Sequence, residues 1–135
     1  MTLILLTVDP VSRFVTWSSA GHDPALVYHP QTDTFEELET SGVPLGIDPD
    51  LDYETFSRPC AIPQTLLVIG TDGIWEARNA AGEMFGKHRL RDLIRRHRYD
   101  SAEELSSGIK SALWTWIGPR PLQDDVTFVI VKVME

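Results

Sequence analysis

The sequence predicts an α+β fold, an antiparallel β-sandwich with flanking helices, on three observations. Short runs rich in Val, Thr, Phe and Tyr, punctuated by Gly and Pro, fill the first half of the chain. The hydrophobic period then changes from two to about 3.6 between Leu90 and Trp116. A last apolar run, Val126 to Val133, returns to strand character.

Taken in order, LILLTVD (Leu3 to Asp9) is the first strand, stopped by the turn pair Asp9-Pro10. RFVTWSSAG (Arg13 to Gly21) and PALVYHP (Pro24 to Pro30) follow, then TFEELE and DYETFSR on either side of the loop SGVPLGIDPD. Their spacing suits a sandwich. LLVIGTDGIWEARN (Leu66 to Asn79) opens as a strand buried on both faces and stops at Thr71-Asp72-Gly73. Leu90, Leu93, Ile94 and His97 share one face of a helix, and Arg91, Arg95 and Arg98 share another. That basic run is expected to be a solvated helix face, the common fate of charge runs. A second helix starts at Ser101, where Glu104 completes a capping box. Leu105, Ile109, Ala112, Leu113 and Trp116 form its apolar stripe, and Gly118-Pro119 ends it. VTFVIVKV, all but uniformly apolar, is expected to be buried on both faces or nearly so.

Composition narrows the function. At 135 residues the chain is expected to be one domain, residues 1–135, with 42% hydrophobic and 24% charged residues. A net charge of −8 argues against nonspecific binding of nucleic acid. No apolar run approaches the ~20 residues that span a bilayer, and Met1 to Val8 lacks the basic flank of a signal peptide. The single cysteine, Cys60, fits a reducing compartment and reads as a small buried apolar side chain. The expected location is therefore the cytoplasm, without membrane insertion. The alternating acids of IDPDLDY (Asp48, Asp50, Asp52) fail the calcium-loop template, because Tyr53 and Pro59 stand where it needs Gly and Glu.

The element order raises a specific question about Asp72. If the strand it ends is the antiparallel neighbour of the last strand, Asp72 meets Gln123-Asp124-Asp125 at one end of the sheet. Two carboxylates so placed repel unless a cation lies between them. Oxygen-only donors favour a hard ion, Mg²⁺ or Mn²⁺, and Gly73 would let the chain turn tightly after the acid. Read singly, Asp-Gly is an ordinary turn and Asp124 an ordinary loop acid.

The motifs SSAGHDPALVY, GVPLGI, LLVIGTDGIWEARNAAGEMFG, SAEEL and QDDVTFVIVKV resemble, in order, the C-terminal part of bacterial PPM-type serine/threonine phosphatases, in the SpoIIE/RsbU-like branch. The resemblance covers essentially the whole chain. It implies a PPM phosphatase-like fold lacking its N-terminal strands and helices, and a two-metal Mn²⁺ or Mg²⁺ centre. It also implies hydrolysis of phosphoserine or phosphothreonine on a phosphorylated regulatory protein such as an anti-sigma-factor antagonist. By motif, Asp72 and Asp124 are the catalytic metal ligands, while Gly73 and Asp125 support them, Asp125 by orienting a ligand or water. The family's other ligand set, an N-terminal Asp-Gly pair, has no counterpart here, and the metal centre is expected to be incomplete. His22 of AGHDP is read as part of a strand-ending turn rather than as a catalytic group. Without its first strands and helices the fold should expose apolar sheet surface and free edges, which favours a homodimer or higher assembly. The alternative function is a catalytically inactive phosphatase-like module for binding or dimerisation. A third reading is a structural sandwich without a site.

Overall fold

A computed structural model describes residues 1–40, 42–59 and 63–134; Cys60 lies outside them. The strands are β1 (Leu3–Asp9), β2 (Phe14–Ala20), β3 (Leu26–His29), β4 (Thr34–Glu37), β5 (Thr55–Pro59), β6 (Leu66–Gly70) and β7 (Phe128–Lys132), with helices α1 (Gly86–Arg96) and α2 (Ala102–Ile117) between β6 and β7. Two antiparallel sheets form, in the orders β1-β2-β5 and β4-β3-β6-β7. The helices cover the outer face of the second sheet.

The middle strands carry continuous apolar runs because they separate two cores. Val27 and Leu67 point between the sheets and join Val15, Trp17 and Leu38. Their neighbours Leu26, Tyr28, Leu66 and Val68 point the other way, under Leu90, Ile94, Leu105, Ile109 and Leu113 of the helices. Burying a side chain of this size stabilises by about 1.5–3 kcal/mol relative to exposure. Both helix faces therefore match the periodicity, and α2 begins as the sequence predicts. The Ser101 hydroxyl accepts from the Glu104 amide at 3.1 Å, and the Glu104 carboxylate accepts from the Ser101 amide at 2.8 Å.

Two expectations are corrected. The last strand is not buried on both faces: β7 is a sheet edge, and Val129 is 53% exposed. Both faces are used, but only partly: Phe128 and Ile130 pack under the helices, and Val131 and Val133 against the core between the sheets. At its far end the Lys132 ammonium donates to the Asp100 carbonyl at 2.7 Å, tying the strand to the turn between helices. Nor is the arginine face of α1 simply solvated. Arg91 donates to Glu37 at 2.7 Å and Arg95 to Asp33 at 2.8 Å, so opposite charges on the β3–β4 hairpin clamp the helix to its sheet. The Arg95 guanidinium, and then the Tyr28 hydroxyl, hold the Asp33 carboxyl below the usual aspartate range.

The first sheet leaves its outer face uncovered. Leu5 is 63% exposed there, with Leu3 and Phe14. Between them lie Thr7, Thr16, Ser18, Thr55 and Ser57. The bare face is thus richer in hydroxyls than the expected apolar patch, and Thr16 and Ser57 bond across it at 3.0 Å.

Candidate active site

Register decides where the acids go. Gly70 at the end of β6 pairs with Phe128 at the start of β7. The ladder runs one step further, with the Thr71 amide donating to the Thr127 carbonyl at 3.0 Å. The Thr71 hydroxyl accepts from the Thr127 amide at 3.2 Å and lies 3.2 Å from the Asp125 carbonyl, bridging segments 54 positions apart in sequence. The two acidic motifs are therefore in direct backbone contact at one end of the sandwich.

Gly73 is needed there for space rather than for turning. Its φ is not in the left-handed region, yet a Cβ on it would lie 2.3 Å from the Asp125 carbonyl oxygen. Any side chain would push the two motifs apart. Beyond it the chain tightens into a turn, with the Ile74 amide bonded to the Thr71 carbonyl at 3.1 Å and the Glu76 amide to the Asp72 carbonyl at 2.8 Å.

Asp72, Asp124 and Asp125 are all exposed. Among the described residues none of them forms an ion pair. The Asp125 amide donates to Asp124 Oδ1 at 2.7 Å, which fixes that carboxylate's direction. Such donors fit a hard divalent ion held by one or two carboxylates, with water and phosphate completing its shell. They do not make a closed cage: among the described residues no group of three or more His, Cys, Asp or Glu side chains could hold a metal ion.

The neighbouring residues divide by role. His22 turns into its own loop, its Nδ1 donating to the Asp23 carbonyl at 2.7 Å, in a strand-ending turn in which Gly21 has φ 65°. Lys87 at the start of α1 pairs with Asp23 at 3.3 Å and lies 4.7 Å from the Trp75 ring centre, so Trp75 is a packing residue. Trp116 is half-buried, and its indole N–H reaches the Ala77 carbonyl at 3.2 Å. Asn79 organises the next loop, its Oδ1 accepting from the amides of Ala81 and Glu83 at 2.9 and 3.0 Å. Sequence reasoning left Glu76 without a role. It lines a cavity of about 200 Å³ together with Gly73 and Asp124. Its only signal in sequence was its spacing, one turn after Asp72.

Comparison with known proteins agrees with this architecture. The family profile described as Stage II sporulation protein E (SpoIIE) matches residues 1–134. Phosphoserine phosphatase RsbU of Bacillus subtilis is 32% identical over 117 residues, covering 87% of this chain and 34% of RsbU. Protein IcfG of Synechocystis is 25% identical over 130 residues, covering 96% of this chain and 20% of IcfG. Among solved structures, the SiaA-PP2C domain of Pseudomonas aeruginosa superposes with a TM-score of 0.83 at 23% identity, covering 97% of this chain and 51% of that one. The phosphatase domain of SpoIIE from Bacillus subtilis, presoaked with manganese, gives 0.72 at 18% identity, covering 98% and 56%. The chain thus spans about a third or less of its curated relatives and about half of these phosphatase domains, whose fold it shares. By its sequence over almost its whole length, and by the fold, the chain belongs to the SpoIIE family.

Proposed function

We propose that this chain carries the Asp72/Asp124 half of a Mn²⁺- or Mg²⁺-dependent phosphatase centre. Its substrate would be phosphoserine or phosphothreonine on a regulatory protein, such as an anti-sigma-factor antagonist, in bacterial cytoplasmic signalling. The observation that carries this reading is the contact between the Thr71-Asp72-Gly73 turn and the Asp124-Asp125 segment. Asp72 and Asp124 would hold the ion, which when bound lowers the pKa of a water and neutralises phosphoryl oxygens. The Asp125 amide, donating to Asp124 Oδ1, would restrain that carboxylate. The Thr71 hydroxyl holds the two loops at a fixed separation, as positioning of a phosphoryl group requires.

Titration calorimetry with Mn²⁺ tests the proposal. Wild type should bind, and Asp72→Ala and Asp124→Ala should not; equal heats from all three would end the metal reading. Turnover of a phosphoserine peptide by the chain then separates an enzyme from the second reading, a phosphatase-like binding module. That reading is favoured because, among the described residues, no group of three or more His, Cys, Asp or Glu could hold a metal ion. A homodimer or larger assembly belongs to the same proposal. The edge strand β1 has no charged side chain before Asp9 and exposes Leu3 and Leu5. Sedimentation at monomer mass across micromolar concentrations would overturn it.

A further inference from the structure

The cavity beside Asp124 has a chemistry that the phosphatase reading does not use. Its floor is apolar and closed: Ala77 and Ile117 are 9% and 4% exposed, and Leu122 forms a wall. Glu76 stands on its rim, exposed and, among the described residues, without an ion-pair partner. Among the described residues that line the cavity the one cation is Arg78, whose Nη1 is directed to the Gly82 carbonyl at 2.8 Å.

The walls are stitched together. Arg120, after α2, donates to the carbonyls of Asn79 and Ala80 at 3.2 and 3.1 Å, and Trp116 is bonded to Ala77 as described. The cavity is therefore formed before any ligand arrives, and it touches both Gly73 and Asp124. A peptide whose phosphoserine lay at the ion that Asp72 and Asp124 would hold would bring an adjacent side chain to this opening, since one residue of extended chain spans about 3.3–3.6 Å.

We infer that this cavity is a specificity subsite for a lysine or arginine side chain flanking the phosphoserine of the substrate. An acidic neighbour would meet the Glu76 carboxylate and be repelled, the charge of Asp124 being offset by the ion it would hold. A long basic side chain satisfies both parts of the cavity: its methylene stem covers Ala77, Ile117 and Leu122, and its charged head stays at the rim beside Glu76. A volume of about 200 Å³ is large enough for one such side chain. The inference rests on the phosphatase reading for the position of the phosphoserine, but its signature is separate.

The test measures affinity of the Mn²⁺-loaded chain for fluorescein-labelled phosphoserine peptides with Lys, Ala or Glu at each flanking position. The same series is run with unphosphorylated serine. One position should prefer Lys over Glu by about 3- to 10-fold, the size of a partly exposed ion pair with a covered stem. Glu76→Gln should flatten that preference, and Glu76→Lys should invert it toward Glu. Circular dichroism melting checks that these surface variants are folded. An unchanged preference in Glu76→Lys, or no position that distinguishes Lys from Glu, overturns the subsite. So does the loss of one bound Mn²⁺ in Glu76→Gln, which would assign the carboxylate to a metal. If the Lys preference survives but phosphorylation adds no affinity, the phosphatase reading fails and the subsite stands. If phosphorylation matters and flanking charge does not, the subsite alone fails. Failure of every peptide to bind at millimolar concentration sinks both.

Discussion

Replacing Gly73 by alanine tests the contact on which the site depends. The new methyl would sit 2.3 Å from the Asp125 carbonyl oxygen, so the two segments must separate by about 1 Å to reach ordinary contact. Forced overpacking of this kind typically costs about 1–3 kcal/mol. The separation also strains the bonds from Thr71 to Asp125 and Thr127, each worth about 1 kcal/mol. Their sum points to about 2–3 kcal/mol, which at roughly 4 °C per kcal/mol for a domain of this size lowers Tm by about 8–12 °C. Thermal melting followed by circular dichroism reads that shift. Calorimetry on the folded variant below its transition should show Mn²⁺ affinity reduced roughly ten-fold, as when the support of a ligand is disturbed. A variant that melts within a degree of wild type and binds Mn²⁺ equally would show that Gly73 does not hold the two acids in register.

Other consequences concern the helices and the hairpin. Ile109→Ala removes a fully buried side chain from the helix–sheet core and should cost about 2–5 kcal/mol by urea unfolding. Ser101→Ala removes the capping box, and Tm should fall by several degrees at neutral pH. Hydrogen bonds from the Ser101 amide and then its hydroxyl hold the Glu104 carboxyl below its ordinary 4.5. Their contribution is present above that value and fades as Glu104 protonates below it, so the gap between variant and wild type should narrow in acid. Burial, and then the Asp33 carboxylate that accepts from its hydroxyl, hold the Tyr28 phenol above its ordinary 10.0. Its contribution is intact below pH 10 and lost as pH rises through the raised value; absorbance at 295 nm should show a late ionisation that Tyr28→Phe removes.

Much of this architecture was legible because local chemistry and periodicity agreed. The capping pair Ser101 and Glu104, the stripe through Leu105, Ile109 and Leu113, and the apolar run Leu66 to Gly70 each specify one element with little competition. The contact between the Thr71-Asp72-Gly73 turn and the segment that follows Asp124 was implied by element order, given antiparallel neighbours. β7 was harder to read. Val126 to Val133 is apolar on both faces, and that pattern does not distinguish a central strand from an edge strand whose second face is half-covered. The arginines of α1 failed for a related reason: helical spacing places them on one face but does not identify Glu37 and Asp33 opposite them. Glu76 had no signal beyond its spacing, because a cavity wall is made jointly by two distant loops.

The sequence alone determined the elements, their order and the family, since caps, periods and the TDG and DDVT motifs act over a few residues at a time. Tertiary structure decided what depends on distant segments meeting. It placed β7 at an edge, clamped α1 to the β3–β4 hairpin, and made Gly73 a point of contact rather than a hinge. Close approach between remote backbones and the pairing of opposite charges are properties of the folded arrangement, so no local pattern encodes them.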